Sequence, residues 1–329
     1  MRIRGLALTT CAFLTVGLVA TSAGASNDTD FAKQWSLAKI GAASAWAHTT
    51  GRGVRVGIVD TGVDFNHEDL AGKVVESTSC VGAAGDPAKC TGSAQDDQGH
   101  GTHVAGIIAA NKDNSVGIAG VAPDAQLVVA KALDAAGSGT EEDINAGIKW
   151  VVDHGAKVVN LSLGDPNFVF TSLLGTSMRE GIEYAWSHGA VAVVASGNSD
   201  LMGLGLGSSN YGDLDALIVG ATGPDDSVTS YSSPIGSAKW GILAPGGAGD
   251  GNPDHDIYST FWKSGTPNAY AALAGTSMAT PHVVGAVALL LAEGLTPQQA
   301  VDRLISTADT KVACDNCKGR LDLAKASAQ

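Results

Sequence analysis

The sequence predicts an α/β fold of three layers, in which a mostly parallel central sheet carries helices on both faces. Short strands without charged residues alternate with helical segments along most of the 329 residues. This alternation is typical of parallel sheets that are buried on both sides. Hydrophobic residues make up 44% of the chain, and 43 glycines supply tight turns. We find no repeat, low-complexity tract or linker in the sequence, which indicates a single domain.

The elements of the first half follow from local patterns. Ile40, Ala43 and Trp46 have helical spacing, and acidic residues fill the first turn after Thr140. The predicted elements are a helix within residues 36–50, a strand at 54–59, a helix at 100–110, a strand at 127–132 and a helix at 140–155.

The second half continues the alternation. Its last helices are the clearest, because residues 283–292 carry no charge and Pro297 suits a first helical position. The predicted elements are strands at 158–163, 191–195 and 217–219, a helical region at 172–188, and helices at 276–293 and 296–308.

The first 25 residues have the pattern of a secretory signal peptide. Arg2 and Arg4 precede an apolar run at residues 6–20, and Ala23-Gly24-Ala25 offers a small-residue cleavage site. We therefore expect a signal peptide at 1–25, a catalytic domain at 26–329 and a secreted protein. No other run is long enough to span a membrane, so we expect no stable membrane anchor.

The charge of the chain is strongly acidic. Its formal net charge is −13, and residues 1–25 carry two arginines and no acidic residue, so their removal would give −15. Because phosphate binding needs a basic surface, the sequence argues against a nucleic-acid partner. An acidic surface suits solubility and divalent cations, and we expect a monomer.

Four cysteines remain beyond residue 25. An exported protein favours disulfides, and we prefer the local pairings Cys80 with Cys90 and Cys314 with Cys317. A zinc site made from all four cysteines is the alternative. A redox role for the Cys314-Asp315-Asn316-Cys317 segment is a further one, although no thioredoxin-like strand precedes it.

The stretch Gly275 to His282 (GTSMATPH) places a serine where a loop enters a helix. Free backbone N–H groups and the helix dipole favour negative charge at such a position. Ser277 could act there as a nucleophile, or it could merely cap the helix. The segment Gly175-Thr176-Ser177-Met178 repeats the first four residues without the rest, and we interpret Ser177 as a cap or loop serine.

Acyl transfer by a serine requires a base, an acid that orients the base, and donors for the oxyanion. Asp60 ends a predicted strand, whereas His100 and Ser277 each begin a predicted helix. In a parallel sheet, strand ends and helix starts meet at one edge. The order Asp, His, Ser along the chain is the one found in subtilisin.

Residues 59–63, 100–106 and 275–281 resemble the three signature motifs of the subtilisin-like serine peptidases, the subtilases. The resemblance covers about residues 28–325 and implies a subtilisin-like fold and an endopeptidase acting on protein or peptide substrates. It implies that Asp60 orients His100 and that His100 is the general base and acid for Ser277.

The resemblance also assigns the oxyanion donors, Asn198 and the Ser277 N–H. From the residues alone, an Asn after Ser-Gly at a strand end is more often a turn residue. His67, His103 and His282 also lie near the motifs, and we expect them to be structural.

The same resemblance places the substrate between two segments, as an added strand. These segments contain Gly137, Ser138 and Gly139, and Ser162, Leu163 and Gly164. The pocket for the side chain before the cleaved bond would lie between the second segment and Ala195, Ser196 and Gly197. We expect a large apolar side chain there, with a basic one as the alternative because Asp165 and Asp200 lie just beyond.

A structural Ca²⁺ is implied as well, with Asp69 as its main ligand. The loop ligands would be the Asn114 side chain and the carbonyls of Val116, Ile118 and Lys112. Asp28 or Asp30 would reach the site from the N-terminal arm. Such oxygen ligands suit calcium rather than zinc. The segment 250–256 also alternates oxygen side chains, but we interpret it as a solvated insertion.

Three departures from the family leave alternatives open. Few residues separate Ala25 from Trp35, so we recognise no propeptide, and segments 165–179 and 201–211 differ from the usual pattern beside the cleft. The chain could therefore be a binding or scaffold module with a closed cleft. A processing protease for one exported partner is a third interpretation.

Overall fold

The computed structural model describes residues 26–163, 178–198 and 211–327. A sheet of seven parallel strands, in the order β2-β3-β1-β4-β5-β6-β7, forms its centre. The strands are β1 (Arg55–Asp60), β2 (Val74–Ser79), β3 (Gln126–Lys131), β4 (Val158–Leu161), β5 (Val191–Ala195), β6 (Ala216–Thr222) and β7 (Trp240–Pro245). An antiparallel hairpin, β8 (Ile257–Lys263) and β9 (Thr266–Leu273), lies outside this sheet.

Helices cover both faces of the sheet, as predicted. They are α1 (Trp35–Ile40), α2 (Ala42–Trp46), α3 (His100–Ala109), α4 (Glu141–Asp153), α5 (Arg179–Ser187), α6 (Thr276–Ala292), α7 (Pro297–Thr307) and α8 (Leu323–Ala326). The predicted caps are also present: the Thr140 side chain accepts the Asp143 N–H at 3.1 Å, and Thr296 forms a capping box with Gln299.

Each face of the sheet has its own hydrophobic core. Successive side chains of a strand point to opposite faces, so Ile58 joins the core beneath α3 and α6, whereas Val59 joins the core beneath α4. Both side chains are fully buried. The two cores hold the carboxyl ends of the strands and the starts of α3 and α6 in fixed relation.

The structure contains elements that the sequence did not predict. The expected helix at 36–50 is broken in two at Gly41, whose φ of 73° is left-handed. Edge strand β2 has exposed residues, so it lacks the apolar pattern of a buried strand. Strand β7 and the β8–β9 hairpin contain Pro, Trp and half-exposed positions, which also obscure the strand pattern in the sequence. The sheet is therefore wider than the predicted strands suggest.

The four cysteines pair as predicted, Cys80 with Cys90 and Cys314 with Cys317. A zinc site made from all four is thereby excluded. None of the helices in the described part of the chain is both long and apolar enough to cross a bilayer.

Candidate active site

Asp60, His100 and Ser277 lie at the carboxyl edge of the sheet, each at the end of an element. Asp60 is the last residue of β1, His100 the first of α3, and Ser277 the second of α6. Strand β1 lies beside β4, and α3 packs against α6. The parallel topology thus brings together residues that are far apart in sequence.

Close approach of α3 to β1 depends on Gly101. A Cβ atom at this position would lie 2.1 Å from the Gly62 carbonyl oxygen and 3.2 Å from Asp60. Any side chain here would push the helix away from the strand end. The glycine after His100 therefore sets how closely the imidazole can approach Asp60.

Asp60 and His100 form a direct hydrogen bond. The His100 Nδ1 lies 2.7 Å from Asp60 Oδ1, which also accepts the Thr61 N–H at 2.7 Å. Burial opposes the charged imidazolium, but the charge and hydrogen bond of Asp60, together with the charge of Asp96, outweigh it and raise the pKa of His100 above 6.5. With Nδ1 donating to Asp60, Nε2 is the nitrogen left to accept a proton.

Ser277 is buried beside Ser162, which follows β4. Its hydroxyl donates to the Ser162 carbonyl oxygen at 3.2 Å, and no hydrogen bond among the described residues joins it to His100. A rotation about the Cα–Cβ bond of Ser277 changes this partner, and hydrogen bonds of catalytic groups commonly form only when substrate binds.

The backbone of Ser277 has a special environment because of Pro281. Proline lacks the N–H that would bond the carbonyl four residues earlier in a helix, here that of Ser277. The Ser162 hydroxyl donates to this carbonyl instead, at 2.8 Å. No hydrogen bond of the described residues uses the Ser277 N–H, as expected in a first helical turn.

Asn198 lies against the start of α6. Its amide oxygen accepts both the N–H and the hydroxyl of Thr276, each at 3.0 Å. Since Thr276 occupies the oxygen, the amide nitrogen is the group left for donation. The side chain is thus held beside Ser277 with its donor available.

The two predicted substrate segments follow β3 and β4. In the first, Ser138 is used internally: its carbonyl accepts the Asp134 N–H at 2.8 Å, and its N–H donates to the Asp134 carboxylate at 3.0 Å. The Gly137 carbonyl and the Gly139 N–H take part in no hydrogen bond among the described residues. The turn onto Asp134 thus leaves one carbonyl and one N–H for pairing with a bound chain.

The residues predicted to form the side-chain pocket are only partly described. Ser162, Leu163, Ala195 and Ser196 are buried, and the Ser196 hydroxyl donates to the Ser233 carbonyl at 2.9 Å. Gly197 has a φ of 102°, which favours glycine at this turn. Gly164 lies outside the described residues, as do Asp165 and Asp200 just beyond the pocket and the predicted cap or loop serine Ser177.

The other three histidines near the motifs make structural contacts. His282 bonds the Met278 carbonyl and the Ser36 hydroxyl, His103 bonds the carbonyls of Ile257 and Ala271, and His67 bonds the Ala269 carbonyl. Burial lowers the pKa of His103 to about 3 and that of His282 to about 4. They stay neutral at ordinary pH and anchor neighbouring segments.

Asp69 is fully buried beneath the loop of residues 112–118. Its carboxylate accepts the Asn114 amide at 2.9 Å, the Ile118 N–H at 2.8 Å and the Tyr270 hydroxyl at 3.3 Å. Burial raises its pKa to about 6; those hydrogen bonds oppose the shift, and the nearby charge of Asp28 adds to it. The loop therefore holds an incompletely balanced negative charge.

The side chain of Asp28, rather than that of Asp30, reaches this loop from the N-terminal arm. Its carboxylate accepts the N–H groups of Asp113, Asn114 and Ser115 at 3.0, 3.0 and 3.2 Å. Asp30 instead pairs with Lys33 at 3.0 Å. The arm is thus anchored to the loop by a second buried carboxylate.

The donors around Asp69 fit a hard cation in their chemistry. No hydrogen bond within the described residues ends on the carbonyl oxygens of Lys112, Val116 or Ile118, and two carboxylates are close by. No group of three or more His, Cys, Asp or Glu in the described residues could hold a metal, so neutral oxygens would have to complete the site. The Asn114 amide oxygen accepts the Val116 N–H at 2.8 Å. The side-chain amide must therefore rotate before this oxygen can face a cation.

The segment 250–256 matches its interpretation as a solvated insertion. Its residues are mostly exposed, and Asp250 pairs with His255 at 2.7 Å. The Asn252 side chain accepts the Asp254 N–H at 3.1 Å and caps a short turn. Its oxygen side chains are thus engaged in local contacts.

Sequence reasoning missed two buried charged residues near Asp60. Asp96 accepts hydrogen bonds from the turn after β1 and from the start of α3. Lys131 donates to the carbonyls of Thr61 and Leu133, both at 2.8 Å. An acidic residue shortly before a helix start is a capping signal that could have drawn attention to Asp96.

Comparison with known proteins agrees with this geometry. The sequence model of the subtilase family matches residues 51–321 of this chain. Thermitase from Thermoactinomyces vulgaris is 38% identical over 305 residues, which cover 91% of this chain and 98% of thermitase. Subtilisin DY from Bacillus licheniformis is 39% identical over 261 residues, covering 78% of this chain and 84% of the relative.

A solved structure shows the same fold. A protease from Pseudoalteromonas arctica PAMC 21717 superposes with a TM-score of 0.75 at 28% sequence identity, covering 92% of this chain and 98% of that one. The subtilisin-like α/β fold expected from the motifs is therefore confirmed. The chain belongs to the subtilase family and is a serine endopeptidase.

Proposed function

We propose that Asp60, His100 and Ser277 form the catalytic triad of a secreted endopeptidase. The observation that carries this proposal is the 2.7 Å hydrogen bond between Asp60 Oδ1 and His100 Nδ1. It lies at the edge of the sheet where α6 begins with Ser277 in its first turn. This bond holds the imidazole in the tautomer whose Nε2 can accept a proton. Asp60 also stabilises the imidazolium that forms.

The reaction proceeds through an acyl-enzyme. His100 Nε2 takes the Ser277 proton as the hydroxyl oxygen attacks the peptide carbonyl, and the imidazolium then protonates the leaving amine. Water, deprotonated by His100, attacks the acyl carbon, and Ser277 regains its proton as the product acid leaves. Both His100 and Ser277 therefore end the cycle in their starting protonation states.

The oxyanion formed in both steps is held by the Ser277 N–H and the Asn198 amide. Thr276 holds the amide oxygen of Asn198, so the donor is in place before the charge develops. Donors fixed in advance stabilise the transition state without reorganisation. This supports the role that the motif resemblance implied for Asn198.

We infer that the substrate lies as an extended strand between residues 137–139 and 162–164. These segments follow β3 and β4, which are separated only by β1, and β1 ends at Asp60. With neighbouring strands about 4.8 Å apart, the space beyond Asp60 is one strand wide. The free Gly137 carbonyl and Gly139 N–H offer the pairing groups. We retain a large apolar side chain for the pocket, with a basic one as the alternative.

We further propose that a structural Ca²⁺ is held near Asp69. Its ligands would be the carboxylates of Asp69 and Asp28, the Asn114 amide oxygen, and the carbonyls of Lys112, Val116 and Ile118. When bound, the ion would supply positive charge that stabilises the loop and takes no part in the reaction. We also propose that residues 1–25 direct export and that the enzyme acts as a monomer.

Labelling by a fluorophosphonate tests the central proposal. This reagent phosphonylates only a serine that a neighbouring base activates, so we expect one adduct, located at Ser277 by peptide mass mapping, and none in Ser277→Ala. Absence of an adduct in folded, calcium-loaded protein would contradict the proposal. That result would favour a binding module whose cleft is closed.

A further inference from the structure

Asp96 lies buried between the turn after β1 and the first turn of α3, with 1% of its surface exposed. Five donors converge on its carboxylate. Oδ1 accepts the Thr61 hydroxyl at 2.9 Å and the N–H groups of Gln98 and Gly99 at 3.0 and 2.9 Å. Oδ2 accepts the N–H and the hydroxyl of Thr102 at 3.0 and 2.5 Å.

The two threonines extend this network to both sides of the triad. The Thr61 hydroxyl accepts the Gly101 N–H at 2.9 Å, so it bridges the residue after Asp60 to the residue after His100. The Thr102 hydroxyl accepts the Asp64 N–H at 2.9 Å. Asp96 is therefore bonded, directly or through a hydroxyl, to the elements that carry both Asp60 and His100.

A carboxylate is the group that this position requires. All five donors point at it, whereas an amide offers one accepting oxygen and would turn an NH₂ group towards other donors. No salt bridge of the described residues reaches Asp96. Its charge is balanced by hydrogen-bond donors and the N-terminal end of α3, and its field extends to the neighbouring imidazole.

We propose that Asp96 is a positioning residue for the reaction, which fixes the His100 imidazole against Asp60 and presents its own negative charge to that ring. The inference rests on the triad proposed above. No hydrogen bond of the described residues joins Asp96 to the His100 imidazole or to Ser277, and it acts through the Thr61 turn and the start of α3.

The electrostatics of His100 agree with this role. Burial disfavours the imidazolium, whereas the charge and hydrogen bond of Asp60 and the charge of Asp96 raise the pKa of His100. Within the described residues, His103, one turn along α3, also interacts electrostatically with His100, and burial keeps it neutral with a pKa lowered to about 3. Removing the Asp96 charge should therefore lower the pKa of His100.

The first test compares Asp96→Asn with Asp143→Asn. Asp143 is also a buried carboxylate that accepts two backbone N–H groups, from Gly82 and Ala84, but it lies on α4 across the sheet from α3. We expect kcat of Asp96→Asn to fall by about 10- to 100-fold through misplacement of the imidazole, with KM nearly unchanged. The acid limb of its kcat/KM profile should move to lower pH. Asp143→Asn should lose only thermal stability.

Titration of His100 by NMR, in the inactive Ser277→Ala background, reads the effect without relying on activity. The midpoint should be lower with Asp96→Asn than without it, and unchanged by Asp143→Asn. An identical midpoint in all three proteins would overturn the inference. If wild type were inactive while the midpoint still moved, the proposed function would fail and the electrostatic link would stand.

Thr61→Val separates position from charge and avoids the loss of a buried carboxylate. It removes the hydroxyl between Asp96 and Gly101 but leaves the Asp96 charge in place. We expect a reduced kcat with an unshifted acid limb. Wild-type kcat in folded Thr61→Val would contradict the positioning role.

Discussion

The fold contains two pairs of buried aspartates whose surroundings differ. The first pair is Asp60 with Asp96, and the second is Asp69 with Asp28. The first pair faces His100, which can carry the opposite charge, and it raises the pKa of that imidazole. Among the described residues, the hydrogen bonds that the second pair accepts come from neutral donors, and burial raises the pKa of Asp69 to about 6. A buried charge is costly unless it is compensated. The first pair thus has a partner within the chain, whereas the second would take its partner from solution if the calcium proposal holds.

The largest expected effect should appear in the region around Asp60 and Asp96 and leave the region around Asp69 and Asp28 unchanged. Ser277→Ala removes the nucleophile, and we expect kcat to fall by about 10⁶-fold, the scale measured for the corresponding loss in subtilisin. Calcium stabilisation should be unaffected, because the change does not touch the Asp69 loop. Peptide hydrolysis and thermal melting measure the two outcomes. Ser177→Ala is the matched control, and a large loss there would mean that the wrong Gly-Thr-Ser was chosen.

Asn198→Ala tests whether the first region also stabilises negative charge on the substrate. We expect kcat to fall by roughly 10²–10³-fold, the range known for the subtilisin oxyanion donor, with little change in KM. The reason is that the donor meets full charge only in the transition state. Steady-state kinetics decide the matter, with exposed Asn252→Ala as the neutral control. A raised KM at constant kcat would make Asn198 a ground-state binding residue.

Asp69→Asn tests the second region. A ligand that binds only the native state stabilises it by about 2.7 kcal/mol at 100 times its Kd. We compare the Ser277→Ala protein, which cannot digest itself, with and without the added Asp69→Asn change. We expect their melting temperatures to differ widely in calcium and less in chelator. Asp143→Asn should give the same loss in both conditions, and an equal difference for Asp69→Asn would rule out the calcium assignment.

The smallest effect concerns the protonation of His100. Only the neutral imidazole can accept the Ser277 proton, so kcat/KM should increase with pH. Because the Asp60 and Asp96 charges raise the pKa of His100, the midpoint should lie above the usual value of 6.5. A pH profile measured with one peptide at constant ionic strength checks this. A rate that is flat from pH 5 to 8 would exclude His100 as the base.

The parallel sheet and the elements that carry Asp60, His100 and Ser277 were predictable from the sequence. Those strands are central and largely apolar, so their burial is visible in composition alone. Edge strand β2 contains the exposed Glu76, and the β8–β9 hairpin is half-buried, so neither shows the pattern of a core strand. The periodicity of apolar residues indicates which elements are buried. Elements at the edge of a fold are only partly buried, so they lack this periodicity.

The sequence motifs could indicate the residue types of the candidate site. They could not indicate which hydrogen bonds hold those residues in place. Asn160 donates to the Ser162 hydroxyl at 2.9 Å, and that hydroxyl holds the Ser277 carbonyl. Neither link leaves a spacing that a sequence pattern could reveal. The convergence of donors on Asp96 likewise depends on two elements meeting in space.

The hydrogen bonds between Ser162 and Ser277 span 115 positions of the chain, whereas Asp60 and His100 are 40 apart. Contacts so distant in sequence are slow to form, because a long loop must close before they stabilise anything. We therefore expect Ser277, the proposed nucleophile, to be set in place only after the C-terminal third has docked on the sheet. During refolding, fluorophosphonate labelling should appear no earlier than the full helix and sheet signal. We therefore expect the timing of activity to depend on topology, with the proposed base and acid meeting before the proposed nucleophile joins them.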